Sequence, residues 1–400
     1  MTLRPWIEKE RINMWALSGK LDAIPFLQKN PKYIYWPALS RNPNAIDILT
    51  QNINKIRWRS LSSNLNPQII TILEMYENYR KTYYPYYYFI DPIRDYFHMN
   101  NKVDLYELSQ NPSAVPFLEK YPKYIDWTIL SSNINAISIL EKNVDKIDWM
   151  MLSANINAIS ILEKNLDKID WMILSANINA ISILEKNLDK VNYGDLSHNI
   201  NAIPILEKNL DIVDWNMLCM NTNAISILEK NLDKVYWSEL SRNINAVSIL
   251  KENLDKVDWS ELSGNVNAIP ILEKNQARIN WSILSGNINA ISILEKNVNR
   301  IDWAILSSNI NATSILEKNL DKNKISWFKI SRNINAMSIL EKNPDKIMWD
   351  EMAENSGIFI CDYNYYKKRM DVHRQELMKK VFHPKLLSHY LEIGYDFSNM

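Results

Sequence analysis

Glycine is scarce, with six in 400 residues. Propellers, open barrels and phosphate-cradling loops spend glycine on tight turns, so this supply argues against each of them. Cysteine is scarcer: Cys219 and Cys361 alone cannot build a disulfide scaffold, and their separation disfavours a cysteine metal site. Net charge is absent, because 46 Lys+Arg balance 46 Asp+Glu, and no global field draws the chain to nucleic acid or anionic lipid. No stretch approaches the roughly 18 uncharged apolar residues of a membrane helix. The first ten residues also lack the apolar run of a signal peptide. A soluble, non-secreted protein without a membrane role is expected. What the chain does have is 46% hydrophobic residues and 14 Trp, too many for a disordered polymer.

Those tryptophans are periodic. From Trp149, steps of 22 residues land on Trp171, Tyr193, Trp215, Trp237, Trp259, Trp281 and Trp303, and backward on Trp127 and Leu105. After a two-residue slip at Asn323-Lys324 the series resumes at Trp327 and Trp349, and near the N-terminus it holds Met14, Trp36 and Trp58. Twelve of the fourteen intervals between these fifteen anchors are 22 residues. Repeats of this length are supersecondary units that bury their apolar faces by stacking.

The unit reads Ile-Asp-Trp-x-x-Leu-Ser-x-Asn-x-Asn-Ala-Ile-x-Ile-Leu-Glu-Lys-Asn-x-Asp-Lys. A leucine-rich β-arc would place Thr128, Gly194, Asn216, Ser238, Ser260 and Asp350 inward and bury polar groups. Helical spacing fits better: Ala158, Ile159, Ile161 and Leu162 are neighbours on one helical face. Asn30-Pro31, Asn42-Pro43, Asn111-Pro112 and Asn343-Pro344 read as helix caps followed by a first-turn proline. The pattern predicts two helices per unit, near 156–164 and 166–175, with asparagines closing one helix in a left-handed conformation and capping the next. The expected fold is an all-α solenoid of about fifteen 22-residue repeats with a cap at each end. Stacked at about 8–10 Å per unit, it would follow an elongated or superhelical path on the order of 130 Å.

The expected organisation is an N-terminal cap over 1–13, first repeats over 14–79, a Tyr-rich insertion over 80–104, the main array over 105–355 and a C-terminal helical cap over 356–400. The insertion concentrates Tyr86, Tyr87, Tyr88 and Phe89, aromatics that either anchor a partner or plug a bend in the stack.

Catalytic chemistry finds little support. The acidic residues recur identically in every unit, whereas a catalytic carboxylate is expected once, in an asymmetric pocket. His383 and His389 lie six apart, which is not a same-face metal spacing. No enzyme activity, cofactor or metal is expected. Trp127, Trp149, Trp171, Trp215, Trp237, Trp259, Trp281 and Trp303 read as structural core in preference to a stacking platform for single strands. The asparagine columns read as caps, with a hydrogen-bonded ladder as the other option. The first sixty residues carry a local charge of +6 that could attract an acidic partner. What varies between units is the pair of residues after the anchor and the residue after Ser. These positions supply Met150, Asp195, His198, Met217, Glu239, Arg242, Lys329 and Arg332 as candidate partner-binding residues. Neutral drift of exposed positions is the rival account.

The segment Arg41-Asn42-Pro43-Asn44-Ala45-Ile46, followed by Asn-x-x-Lys-Ile-x-Trp, resembles a short repeat widespread in giant viruses (nucleocytoplasmic large DNA viruses). The run Val381-Phe382-His383-Pro384-Lys385 and then His389-Tyr390-Leu391-Glu392-Ile393-Gly394-Tyr395-Asp396 is similar to the closing segment of such proteins. Most of that family's prolines are replaced here, as at Ile156, Leu166 and Val144. The resemblance implies a viral origin and a repeat fold, without a settled activity. The functional expectation is a non-enzymatic scaffold or adaptor for a viral or host protein, in host cytoplasm or virion. A self-associating virion or assembly component is the alternative, and nucleic-acid binding is disfavoured.

Overall fold

The structure is a computed structural model that describes residues 2–83, 102–321 and 325–360. Each unit opens on a polar cap. Asp148 accepts the Met151 N–H at 3.0 Å and starts the helix Trp149–Ala154. Asn155 ends it in an extended conformation, and its Oδ1 accepts the Asn157 N–H, turning the chain toward the second helix, Ile159–Glu163. Asn165 then donates from Nδ2 to the Ile161 carbonyl at 2.8 Å, closing the second helix. Helices of five or six residues are not stable alone, so stacking must hold them. Among the described residues the unit recurs as fifteen first helices and fourteen second helices, 29 in all, and the predicted all-α solenoid is the observed fold.

The core runs unbroken from unit to unit. Ile147, Leu152, Ala158, Ile161 and Leu162 are buried, as are their equivalents along the array. Each fully buried leucine contributes roughly 1.5–3 kcal/mol. Between these apolar layers runs a polar ladder. Asn155 Nδ2 donates to the Ser131 and Asn133 carbonyls of the preceding unit, both at 3.1 Å. Ser131 Oγ donates to Trp127 O and accepts the Asp148 N–H of the following unit at 3.0 Å. Asn157 Nδ2 reaches the Ile134 carbonyl at 2.9 Å. Each asparagine of the ladder thus finds its acceptors one unit away, as a buried amide requires. The asparagine columns are both caps and ladder.

Several local expectations change. The closing asparagines are not left-handed: Asn231 has φ −133° and ψ 46°. Pro31, Pro43, Pro112 and Pro344 each open a three-residue 3₁₀ turn ahead of the next helix or cap, so both helices are shorter than the spacing predicted. Of the eight tryptophans expected in the core only Trp303 is buried, at 8% exposure. Trp127, Trp149, Trp171, Trp215, Trp237, Trp259 and Trp281 are half-buried, packed against the core from its margin. The outer face of each ring is covered by a cation of the next unit: Lys168 sits 4.9 Å from the Trp149 ring centroid, and Lys or Arg covers the others at 4.6–5.1 Å.

In the third unit the second helix runs Ile69–Tyr83, across the expected boundary at residue 80. Its Glu77 is buried, held by Lys123 Nζ at 2.6 Å and by the Tyr124 hydroxyl. Val103, expected within the insertion, is buried at the position of Ile147 and belongs to the fourth unit.

The ends meet. Strand β1 (Thr2–Leu3) pairs antiparallel with β2 (Phe359–Ile360), Thr2 opposite Ile360 and Leu3 opposite Phe359. Arg4 N–H donates to Ile358 O and its Nε to Gly357 O, at 2.9 and 2.8 Å. Asn13 Nδ2 contacts Asp350 Oδ1 at 3.5 Å, and Lys20 Nζ donates to Glu354 O. The first unit therefore packs on the fifteenth, and the open, elongated path is replaced by a closed ring. Of the expected C-terminal cap, residues 356–360 form this seam; residues 361–400 lie outside the described residues.

Closure fixes which layer is inside. Fifteen units sharing a full turn rotate about 24° each, so two layers about 10 Å apart differ in spacing by about 4 Å. Neighbouring first helices approach one another closely, whereas neighbouring second helices, apart from Ile69–Tyr83 against Val115–Lys120, stand farther apart, so the first helices form the inner wall. At about 9 Å per helix that wall is a circle roughly 40 Å across.

Candidate functional site

On each first helix the Leu and Ser at positions three and four past the anchor face the core, which leaves positions one, two and five for the inner wall. These are the variable positions. The fold brings the candidate residues Met150, Asp195, His198, Met217, Glu239, Arg242, Lys329 and Arg332 onto one continuous surface, spread over units six to fourteen. Tyr86, Tyr87, Tyr88 and Phe89 lie outside the described residues.

Neighbouring units touch on this wall in a fixed register, position five of one against position two of the next. Arg242 binds Glu261 at 2.8 Å and Arg332 binds Glu351 at 3.3 Å. A side chain added at Gly286 would meet Ile305 Cγ2 at 3.2 Å. Pairing raises the Arg242 pKa, first through the hydrogen bond to Glu261 and then through its charge. Both ion pairs are largely solvated and worth about 0–1 kcal/mol each, so they set register more than stability. Arg242 and Arg332 are therefore partnered within the wall, not free for an acidic ligand.

The wall is uneven. Units six and seven present Met150, Met151, Met172 and Ile173, beside the buried Ile129 of unit five. Met150 and Met172 are 58% and 55% exposed, and Tyr106 one unit earlier is 50% exposed. The next arc carries Asp195, His198, Glu239, Arg242 and Glu261. The variable columns of the sequence single out Met150 but not Met172, Tyr106 or the exposed Trp15, which share its place one residue past the anchor. A large apolar residue at that position is the signal that would find them.

Other sites are poor in chemistry. Cys219 occupies the ladder serine position, buried, with its Sγ accepting the Tyr236 N–H at 3.4 Å. Burial pushes its thiol up to about 11, so it is protonated and unreactive at neutral pH. A shallow recess lined by Trp215, Asp233, Lys234, Val235 and Tyr236 is the groove between a tryptophan and its covering lysine. Among the described residues no group of three or more His, Cys, Asp or Glu could hold a metal, and no helix is long and apolar enough to cross a membrane. No family model matches the chain, and neither does any curated protein or solved structure.

Proposed function

We propose that the chain is a non-enzymatic ring-shaped scaffold that binds a protein segment along its inner wall. One observation carries this reading: the positions that vary from unit to unit collect on a single surface along the first helices, while the recurrent Leu, Ala, Ser and Asn build core and ladder. The methionine arc of units six and seven supplies the apolar anchor. Methionine is unbranched and polarizable and adapts to irregular partners. Asp195 and His198 on the adjoining unit supply the polar flank that selects among apolar segments, with Met217 a further apolar contact beyond them. The wall mixes both charge signs and pairs several of them, which favours protein over the continuous cationic track that nucleic acid requires. The viral origin, with a viral or host protein as the ligand, rests on the repeat resemblance alone.

The test is capture from infected-cell extract by the wild-type chain and by a Met150→Asp/Met172→Asp double variant, followed by binding measurements on each captured protein. A partner that loses at least about tenfold affinity, or roughly 1.4 kcal/mol, on the double variant supports the reading. Equal binding of every partner by both chains contradicts it.

A further inference from the structure

The two edges of the ring differ in chemistry. One edge is formed by the turns from second to first helices, and each of these carries charge: Asp145, Lys146 and Asp148 in one unit, Asp167, Lys168 and Asp170 in the next. The other edge is formed by the Asn-x-Asn-Ala turns. In units two to fifteen these four positions hold no charged residue. At their exposed second position stand Leu65, Ile134, Ile156, Ile178, Ile200, Ile244, Ile288, Ile310 and Ile334, with Leu21 in unit one. The eight isoleucines are 38–46% exposed.

The fold has no need of these side chains. Only the backbone is used, as when Ile156 O accepts Asn179 Nδ2. Pro43, Pro112 and Thr222 fill the same position elsewhere without disturbing the ladder. Successive turns are hydrogen-bonded to one another, so the exposed aliphatic groups form an arc along one edge instead of isolated points. Isolated exposed aliphatics need no explanation, whereas a contiguous uncharged row marks a contact surface.

We propose that a second copy of this chain stacks on this edge, the two rings face to face about a twofold axis. A copy has the matching curvature and the matching 22-residue spacing. The area fits: at roughly 190 Å² per fully exposed aliphatic side chain and backbone, ten such residues near two-fifths exposure offer roughly 800 Å², the share each partner brings to a standard interface. Over units two to fifteen the absence of charge removes the like-charge repulsion that a self-facing surface otherwise carries, and the Lys20 and Asp22 of unit one are of opposite sign. Head-to-tail stacking would instead press the aliphatic row against the charged edge and bury unpaired Asp and Lys, which is costly. Face-to-face pairing leaves that edge in water and closes at two copies. The long helix Ile69–Tyr83 clears the way, since its nine or so extra residues run about 13 Å past the charged edge, away from the aliphatic one.

Sedimentation of the full chain from about 1 to about 100 µM tests this directly, in the range where a standard-size interface shows its Kd. A discrete dimer is expected. The triple variant Ile156→Lys, Ile178→Lys, Ile200→Lys should be monomeric with an unchanged circular dichroism spectrum. Leu166→Lys with Leu210→Lys, on the charged edge, should remain dimeric. If the lysine triple does not fold, the threonine triple at the same positions, which copies the native Thr222, should weaken the dimer at least about tenfold. A wild-type chain that stays monomeric at about 100 µM overturns the proposal and leaves the edge to another partner. Growth beyond two copies, or a folded triple variant that still dimerises, overturns it as well.

Discussion

Arg11 lies over the ring of Trp349, its guanidinium carbon 4.7 Å from the ring centroid. The same relation joins Lys168 to Trp149 at 4.9 Å and Lys256 to Trp237 at 5.1 Å, each cation standing three residues before the next anchor. Arg11 stands three residues before Met14, so the seam between the last unit and the first copies the junctions inside the array. The rule holds in the negative too. Where the anchor is Met14, Leu105 or Tyr193, the covering position holds Tyr33, Tyr124 or Ile212. A cation over a tryptophan face is worth about 0.5–2 kcal/mol; over Met14 or Leu105 a charged residue has no ring to cover, and Tyr193 offers a weaker one.

The seam is the weakest junction, and opening should begin there. Ala353 replaces the ladder serine and Lys20 the ladder asparagine, so the buried ladder is interrupted there and the bonds that cross it come from a two-residue strand pair and exposed side chains. Burial lowers the Lys20 pKa, a sign that its ammonium is held at a desolvation cost. Arg4→Ala with Arg11→Ala should speed amide exchange in units one and fifteen and leave units six to nine unchanged, because repeat arrays open locally. A uniform rise across all units would contradict this.

The ladder makes an unequal prediction for two asparagines ten residues apart. Asn177→Ala removes a buried amide that serves Ser153 O, Asn155 O and the Asn179 N–H, and should cost about 2–4 kcal/mol. Asn187→Ala removes a half-buried cap that serves Ile183 O alone and should cost about 1 kcal/mol or less. Urea titration of both variants checks the order; equal costs would remove the ladder from the account.

Cys219 predicts a pH effect. Its folded-state pKa, pushed up to about 11 mainly by burial, exceeds that of an exposed thiol. Above the unfolded pKa the unfolded chain releases the proton and the folded chain keeps it, so the protonated thiol's contribution is complete below that pKa and is lost as pH rises toward 11. Under reducing conditions Cys219→Ser should therefore gain on the wild type progressively between about pH 8 and about pH 10. A constant difference across that range would contradict the assignment.

The repeat and its two helices were legible in the sequence because one residue type recurs at one phase. Closure was not, since curvature comes from a difference of about 4 Å between two layers and no single residue encodes it. One clue was present: Arg11-Ile12-Asn13 matches the Lys-Ile-Asp that precedes other anchors, although no tryptophan stands one period-related step before it for Arg11 to cover. The tryptophans were misplaced for a related reason. Periodicity shows that a residue faces its neighbours, and a neighbour can cover a ring with a cation as readily as with core. The inner wall was legible as a set of variable positions, but its location depends on closure. The aliphatic edge was hidden because a recurrent isoleucine reads as core until its exposure is known.

Ring closure is most directly tested by the distance between the two ends of the array. Spin labels on Pro5→Cys and Ser356→Cys, in a chain carrying Cys219→Ser and Cys361→Ser, report it by dipolar spectroscopy. Arg4 is hydrogen-bonded to Gly357 and Ile358, so the labels should show a single narrow population below about 25 Å once linker length is included. An open solenoid of fifteen units would part them by on the order of 100 Å, and loss of the short distance would contradict the ring.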